Sequence, residues 1–129
     1  MNEVTNLKKL IKEAQTDIKA DIKIMPLSGN DSFHLHLAHF NAQQKIQSHY
    51  HNHGEEIYLI LEGTGLMKIG NPDTQKWEST FEVKTGDYIT VAEKKVHQLI
   101  NTHNSEALMV QFGCPLSHLN DDRFFIDMI

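Results

Sequence analysis

The chain has 129 residues, 40% of them hydrophobic and 22% charged, which is the composition of a single globular domain with one core rather than of a disordered segment. A formal net charge of −5 and the lack of any Lys/Arg cluster argue against nucleic acid as a partner, because a phosphate backbone is tracked by clustered basic side chains. No apolar run reaches the roughly 20 residues that span a bilayer, no signal-peptide core is seen, and the single cysteine, Cys114, leaves no internal disulfide, so a cytoplasmic protein away from membranes is expected.

Leu7, Leu10, Ile11 and Ala14 follow a 3.6-residue period, which predicts a short helix over about 5–16 capped by Thr5. Ile18, Ile22 and Ile24 then lead to Pro26 and the turn-like Ser28-Gly29-Asn30-Asp31. From Phe33 the period changes to two: Phe33, Leu35 and Leu37 alternate with His34, His36 and Ala38, a strand pattern. His34-x-His36 has no carboxylate at ligand spacing after it, so it reads as a polar strand face or as support for a site elsewhere.

The stretch His49 to Gly63 concentrates the chemistry. In an extended strand His49 and His51 project from one face, about 6–7 Å apart along the chain. That spacing suits two imidazoles converging on one ion, with bonds of about 2.0–2.1 Å for zinc. It also suits a solvated strand face that happens to be rich in histidine. Glu56, Tyr58 and Ile60 share one face, and Ile57, Leu59 and Leu61 share the other, so both faces of this strand are covered, as in a sandwich or a subunit interface. Gly63-Thr64-Gly65 turns the chain, and Leu66 to Ile69 is expected to return as the partner strand. Gly70-Asn71-Pro72-Asp73 is a strong turn, and Trp77 begins another strand. Short strands follow at Phe81–Lys84, Tyr88–Ala92, His97–Asn101 and Ala107–Phe112. Many short strands separated by turns predict an all-β barrel or sandwich, its core over about 31–113, with a tail over about 114–129.

Two separated motifs resemble those of the cupin superfamily. The first is commonly written G-x5-H-x-H-x(3–4)-E-x6-G, and His49, His51, Glu56 and Gly63 match it, with Gln43 in place of the leading glycine. The second is G-x5-P-x-G-x2-H-x3-N; Gly86, His97 and Asn101 match, while Ala92 and Lys94 replace its proline and glycine. The resemblance implies one jelly-roll domain over residues 1–129, a double-stranded β-helix that is often dimeric, with His49, His51, Glu56 and His97 as ligands of one divalent transition metal ion. Three imidazoles and a carboxylate suit iron, manganese, nickel, cobalt or zinc. His53 sits too close to Glu56 for the motif and becomes a rim residue, and Glu55 points away from Glu56. Tyr58, on the ligand face, fills the barrel or supplies a catalytic hydroxyl, and is the candidate catalytic residue. His39, His103 and His118 lack ligand spacing and are read as surface residues; Cys114 is read as a buried, inert thiol. The tail is expected to cover an apolar sheet face or a dimer partner, the alternative being a lid across the barrel mouth.

Three functions follow from this reading. The first is a metal-dependent isomerase, lyase or dioxygenase acting on an oxygen-rich small molecule, with the apolar Ile57, Leu59 and Leu61 face making a homodimer. The second is a non-catalytic small-molecule or metal-binding sensor module. The third is a structural barrel whose histidines are incidental. A fold of this kind implies a site but not a reaction.

Overall fold

In a computed structural model that describes residues 3–129, the chain forms two packed antiparallel sheets. Eleven strands build them: β1 (Gln15–Asp17), β2 (Ile22–Gly29), β3 (His34–Phe40), β4 (His49–Tyr50), β5 (Glu56–Glu62), β6 (Thr64–Asn71), β7 (Lys76–Lys84), β8 (Tyr88–Val91), β9 (Val96–Ile100), β10 (Leu108–Cys114) and β11 (Phe124–Phe125). One sheet has the order β1-β2-β3-β10-β5-β8 and the other β11-β4-β9-β6-β7. Between them lies a core that includes Ile22, Phe40, Ile60, Met67, Leu99 and Val110. No helix among the described residues is long and apolar enough to cross a membrane.

The expected N-terminal helix is shorter than its period suggested. Helix α1 spans only Leu7–Leu10, a single 3-10 turn follows over Ile11–Glu13, and β1 begins at Gln15. Asn6, not Thr5, caps α1, its Oδ1 accepting from the Lys9 N–H at 3.1 Å. Ile11 packs on Leu37 and Met109, covering the outer face of the six-stranded sheet. β1 and β2 extend that sheet in front of the expected start of the barrel, and Trp77 and Phe81 belong to the single strand β7.

Gly63 does not close a hairpin. β5 pairs with β10 and β8, whereas β6 pairs with β7 and β9, so the turn carries the chain from one sheet to the other. Gly63 has φ +100°, and a Cβ there would lie 2.5 Å from the Ala107 carbonyl oxygen, so glycine is required by both conformation and space. Two positions where the motifs place glycine keep glycine's backbone without the residue: Gln43 has φ +61° and Lys94 has φ +64°. Lys94 also donates its N–H to the His51 carbonyl at 2.7 Å, tying this loop to the histidine segment. Asn101 is fully buried and donates to the Asn41 and Glu106 carbonyls at 3.0 and 2.8 Å, joining two loops.

Period two shows which residues of β3 share a face, but not which face is inside. Ala38 and Phe40 turn inward and take His36 with them, so the histidine face is the one turned toward the core between the sheets. The His36 ring stacks on Phe112 with centroids 4.9 Å apart and planes 15° from parallel. Its Nδ1 is buried without a hydrogen-bond partner. Burial, reinforced by neighbouring His34, pushes the His36 pKa down to about 4. An unfolded histidine protonates near 6.5, so between about pH 6.5 and 4 the unfolded chain takes up a proton that the folded chain refuses. The stability from neutral His36 is therefore present above pH 6.5 and is lost as pH falls through that window. Urea unfolding at pH 7 and pH 5 is expected to show a drop about 2 kcal/mol larger in the parent than in His36→Phe. Equal drops in the two proteins would contradict this assignment.

Candidate metal centre

The four residues at motif spacing come from both sheets and meet between them. His49 and His97 are direct partners across β4 and β9, Glu56 opens β5 in the other sheet, and His51 lies just past β4. All four are buried, and one potential ligand atom from each lies within 4.8 Å of the other three. Ring centroids are 4.3 Å apart for His49–His97, 5.0 Å for His49–His51 and 5.3 Å for His51–His97. A solvated histidine face is thereby ruled out.

Backbone carbonyls engage one nitrogen of each ring. A carbonyl oxygen can only accept, so each ring nitrogen facing one carries the proton. His49 Nδ1 donates to the Gln47 carbonyl at 2.7 Å, His51 Nδ1 to the Asp122 carbonyl at 2.6 Å, and His97 Nδ1 to the Lys95 carbonyl at 3.3 Å. With Nδ1 so engaged, each ring turns its Nε2 toward the common point. His51 Nε2 makes no hydrogen bond although it is fully buried, and Glu56 Oε2 stands 3.0 Å away. His97 Nε2 lies 3.2 Å from Glu56 Oε1. Backbone carbonyls on the far nitrogens are the usual means of orienting metal-bound imidazoles. The donor set therefore fits a divalent ion, and burial keeps His49 neutral by pushing its pKa well below 6.5.

Glu56 is only 4% exposed, and its charge is held from several sides. Burial alone would raise its pKa, but hydrogen bonding, led by that from His118, outweighs it and keeps the carboxyl well below the usual range. The Tyr58 hydroxyl donates to Oε1 at 2.6 Å. Burial and the adjacent Glu56 charge push the Tyr58 pKa far up, so the phenol stays protonated.

His118 corrects the expectation of a surface residue: it is 1% exposed and sits against Glu56. Its Nδ1 lies 2.9 Å from Glu56 Oε2, and its Nε2 donates to the His53 carbonyl. Both nitrogens face acceptors, an arrangement that favours the protonated ring and a charge-assisted bond to Glu56. Burial works against that charge, but the bonds to Glu56 and His53 raise the His118 pKa nonetheless. Spacing could not reveal it, because 62 positions separate it from Glu56. The only local signal was Pro115, which starts the 3-10 turn Leu116–Leu119 that carries the ring inward.

Residues 122–125 of the tail are likewise built into or beside the site, whereas its end lies on the five-stranded sheet at the β6–β7 turn, where Gln75 Nε2 donates to the Asp127 carbonyl at 2.9 Å. Asp122 accepts from the Asn52 and His53 N–H groups at 2.7 and 2.9 Å, and β11 pairs with β4. Arg123 forms an ion pair with Asp17 at 2.9 Å, tying the tail to β1. Cys114, Glu56 and His118 form a second buried group of potential ligands that shares Glu56. Burial and the Glu56 charge push the Cys114 thiol far above its ordinary range, so the thiolate such a site needs is disfavoured. His53 and Glu55 are exposed, His103 accepts from the Ser105 and Glu106 N–H groups in its own turn, and His39 is half-buried.

A profile of the cupin domain matches residues 36–112 of the chain. An uncharacterized protein of Methanocaldococcus jannaschii is 45% identical over 60 residues, which are 46% of this chain and 42% of that protein, so the match spans less than half of the relative. Among solved structures, a conserved protein with a double-stranded β-helix domain from Klebsiella pneumoniae superposes with a TM-score of 0.73 at 16% identity, covering 98% of this chain and 99% of its own. A cupin superfamily protein from Desulfitobacterium hafniense gives 0.66 at 18% identity, covering 89% and 92%. At these identities the likeness is one of fold.

The His118–Glu56 pair has a consequence that can be measured. With the imidazolium removed, His118→Gln is expected to destabilise the metal-free protein by about 3 kcal/mol, the usual loss when a buried pair is broken. Saturating zinc is expected to restore most of it, because the ion takes over neutralising Glu56. Urea unfolding in chelator and in zinc reads the difference; an equal loss in both would contradict it.

Proposed function

We propose, from the premise that this chain belongs to the cupin family, that it is a small metal-dependent enzyme acting on an oxygen-bearing small molecule. His49, His51 and His97, through Nε2, and Glu56 would hold one divalent ion of iron, manganese, nickel, cobalt or zinc. The observation that carries this reading is the buried convergence of three imidazoles, each with Nδ1 on a backbone carbonyl. When bound, such an ion acts as a Lewis acid on a carbonyl or hydroxyl oxygen, or takes part in oxygen chemistry if it is redox-active.

The chain's own residues have distinct parts. Tyr58 holds Glu56 Oε1 and stands on the cavity wall as a neutral proton donor, the candidate for moving a proton on the substrate. His118 balances Oε2, and Asp122 fixes the His51 tautomer. The outward Ile57 and Leu59 stay half-exposed beside Tyr88, which is 63% exposed and directly opposite Leu59. This apolar strip supports a homodimer. Light scattering is expected to give twice the 14.8 kDa chain mass, and a monomer at micromolar concentration would remove that part of the reading.

A non-catalytic binding module is favoured by one observation: the Tyr58 hydroxyl and both His118 nitrogens are already engaged within the protein. Turnover assays on the iron, manganese, nickel and zinc forms separate the two, since ligand binding without turnover in every form supports the module. For the metal centre itself, protein purified without a histidine tag is expected to carry close to one divalent ion per chain. His97→Ala should lower affinity at least 100-fold. Metal-free parent protein that takes up no ion on dialysis would defeat both readings.

A further inference from the structure

The four candidate ligands are shut away from solvent, and the free space beside them is about 20 Å³, room for one water. An ion that enters or leaves, and any molecule larger than water that reaches it, therefore requires part of the wall to move. Most of that wall is strand. It is held by backbone ladders that join β2, β3, β10 and β5 in one sheet and β4 and β9 in the other. One side is built differently. β1 is the edge of the six-stranded sheet and β11 the edge of the five-stranded one. Asp17 of β1 stands opposite Ile22 of the wall, and Arg123, one residue before β11, lines the same space. Between these two edges the Arg123 guanidinium donates to Asp17 Oδ2 at 2.9 Å. It also lies 5.3 Å from the centroid of the Phe125 ring, which is itself 40% exposed and 5.8 Å from the ring of His49. Arg123 and Phe125 thus stand between solvent and the first ligand.

We propose that the Arg123–Asp17 pair is the latch of a gate over the metal centre, and that its opening sets how fast an ion enters and leaves. The inference rests on the metal reading above and adds a moving part to it. Local openings begin where the fewest bonds must part. Parting two strands of the wall breaks several backbone hydrogen bonds, whereas parting this edge breaks one side-chain pair. Once released, Arg123 swings to solvent and uncovers Phe125, and the way to His49 opens with both sheets intact. The tail stays attached beyond that point, because the Ile126 N–H donates to the Ser48 carbonyl at 3.1 Å and Ser48 Oγ to the Ile126 carbonyl at 2.6 Å. A gate passes traffic in both directions, so it governs rates and leaves the equilibrium affinity to the ligands.

The test uses the full chain loaded with cobalt(II), whose visible bands report occupancy, and follows its release to excess EDTA. Asp17→Asn keeps the side-chain oxygen that accepts from the Lys19 and Ala20 N–H groups and removes the charge facing Arg123. Arg123→Gln breaks the pair from the other side, so either variant that folds reads the latch. Both are expected to release cobalt(II) at least tenfold faster than the parent, with equilibrium affinity within about threefold. Arg123→Lys, which keeps the charge, should stay close to the parent rate. Release no faster than the parent in both neutral variants would overturn the gate and leave the metal centre standing. Affinity that falls as far as the release rate rises would also overturn it, since the pair would then shape the site and not the path to it. If the parent takes up no cobalt(II), the metal reading fails and this inference fails with it.

Discussion

A carboxylate enclosed between two sheets loses its hydration at a cost of several kcal/mol unless charge and hydrogen bonds replace it. Glu56 is in that position, and much of the chain is arranged around the replacement. Tyr58, two residues along the same strand, donates to one oxygen. His118, brought back from the far end of the chain, supplies a positive charge to the other. The Nε2 atoms of His51 and His97 face the same carboxylate. Three imidazole nitrogens and a carboxylate converging in a buried space are a donor set suited to a divalent cation.

The jelly roll contributes by making the two sheets face each other at this point. Gly63 passes the chain from one sheet to the other, so Glu56 and the His49–His97 pair arrive from opposite walls. Because the ligands sit on or beside paired strands, their positions are set by backbone hydrogen bonds more than by side-chain rotamers. The tail completes the enclosure: the Asp122 carbonyl accepts a hydrogen bond from His51 Nδ1, its carboxylate accepts from the two backbone N–H groups that follow His51, and Arg123 reaches across to Asp17. Burial tends to raise the Asp17 pKa, yet Arg123 and backbone N–H groups hold it below the ordinary value, so the strap stays charged at neutral pH.

Much of this was legible in the amino-acid sequence because the information was local. Alternation put His49 and His51 on one face, the run to Glu56 and Gly63 had the spacing of a known motif, and His97 followed a second motif. The inner wall of the barrel was partly legible too, through Tyr58 and Ile60. What was hidden was non-local or a matter of sign. His118 has no spacing relation to Glu56, since a folded tail brings it there. Leu66 looked like the hairpin partner of β5 because a glycine turn between apolar runs reads the same whether the chain doubles back or changes sheet. His34 and His36 alternate with leucines, and the period could not say that the inward face was theirs. Gln43 and Lys94 counted against the family motifs, yet their positive φ values retain the backbone those glycines provide.

The account stands on the identity of the atoms that surround the bound ion. X-ray absorption at the metal edge of the zinc-loaded protein reads those atoms directly. Three imidazole nitrogens and one or more oxygens, at about 2.0–2.2 Å and with no sulfur, are the expected shell. Sulfur at about 2.3 Å would place the ion on Cys114 and His118 instead, and fewer than three imidazoles would break the set of His49, His51 and His97; either result would contradict the centre described.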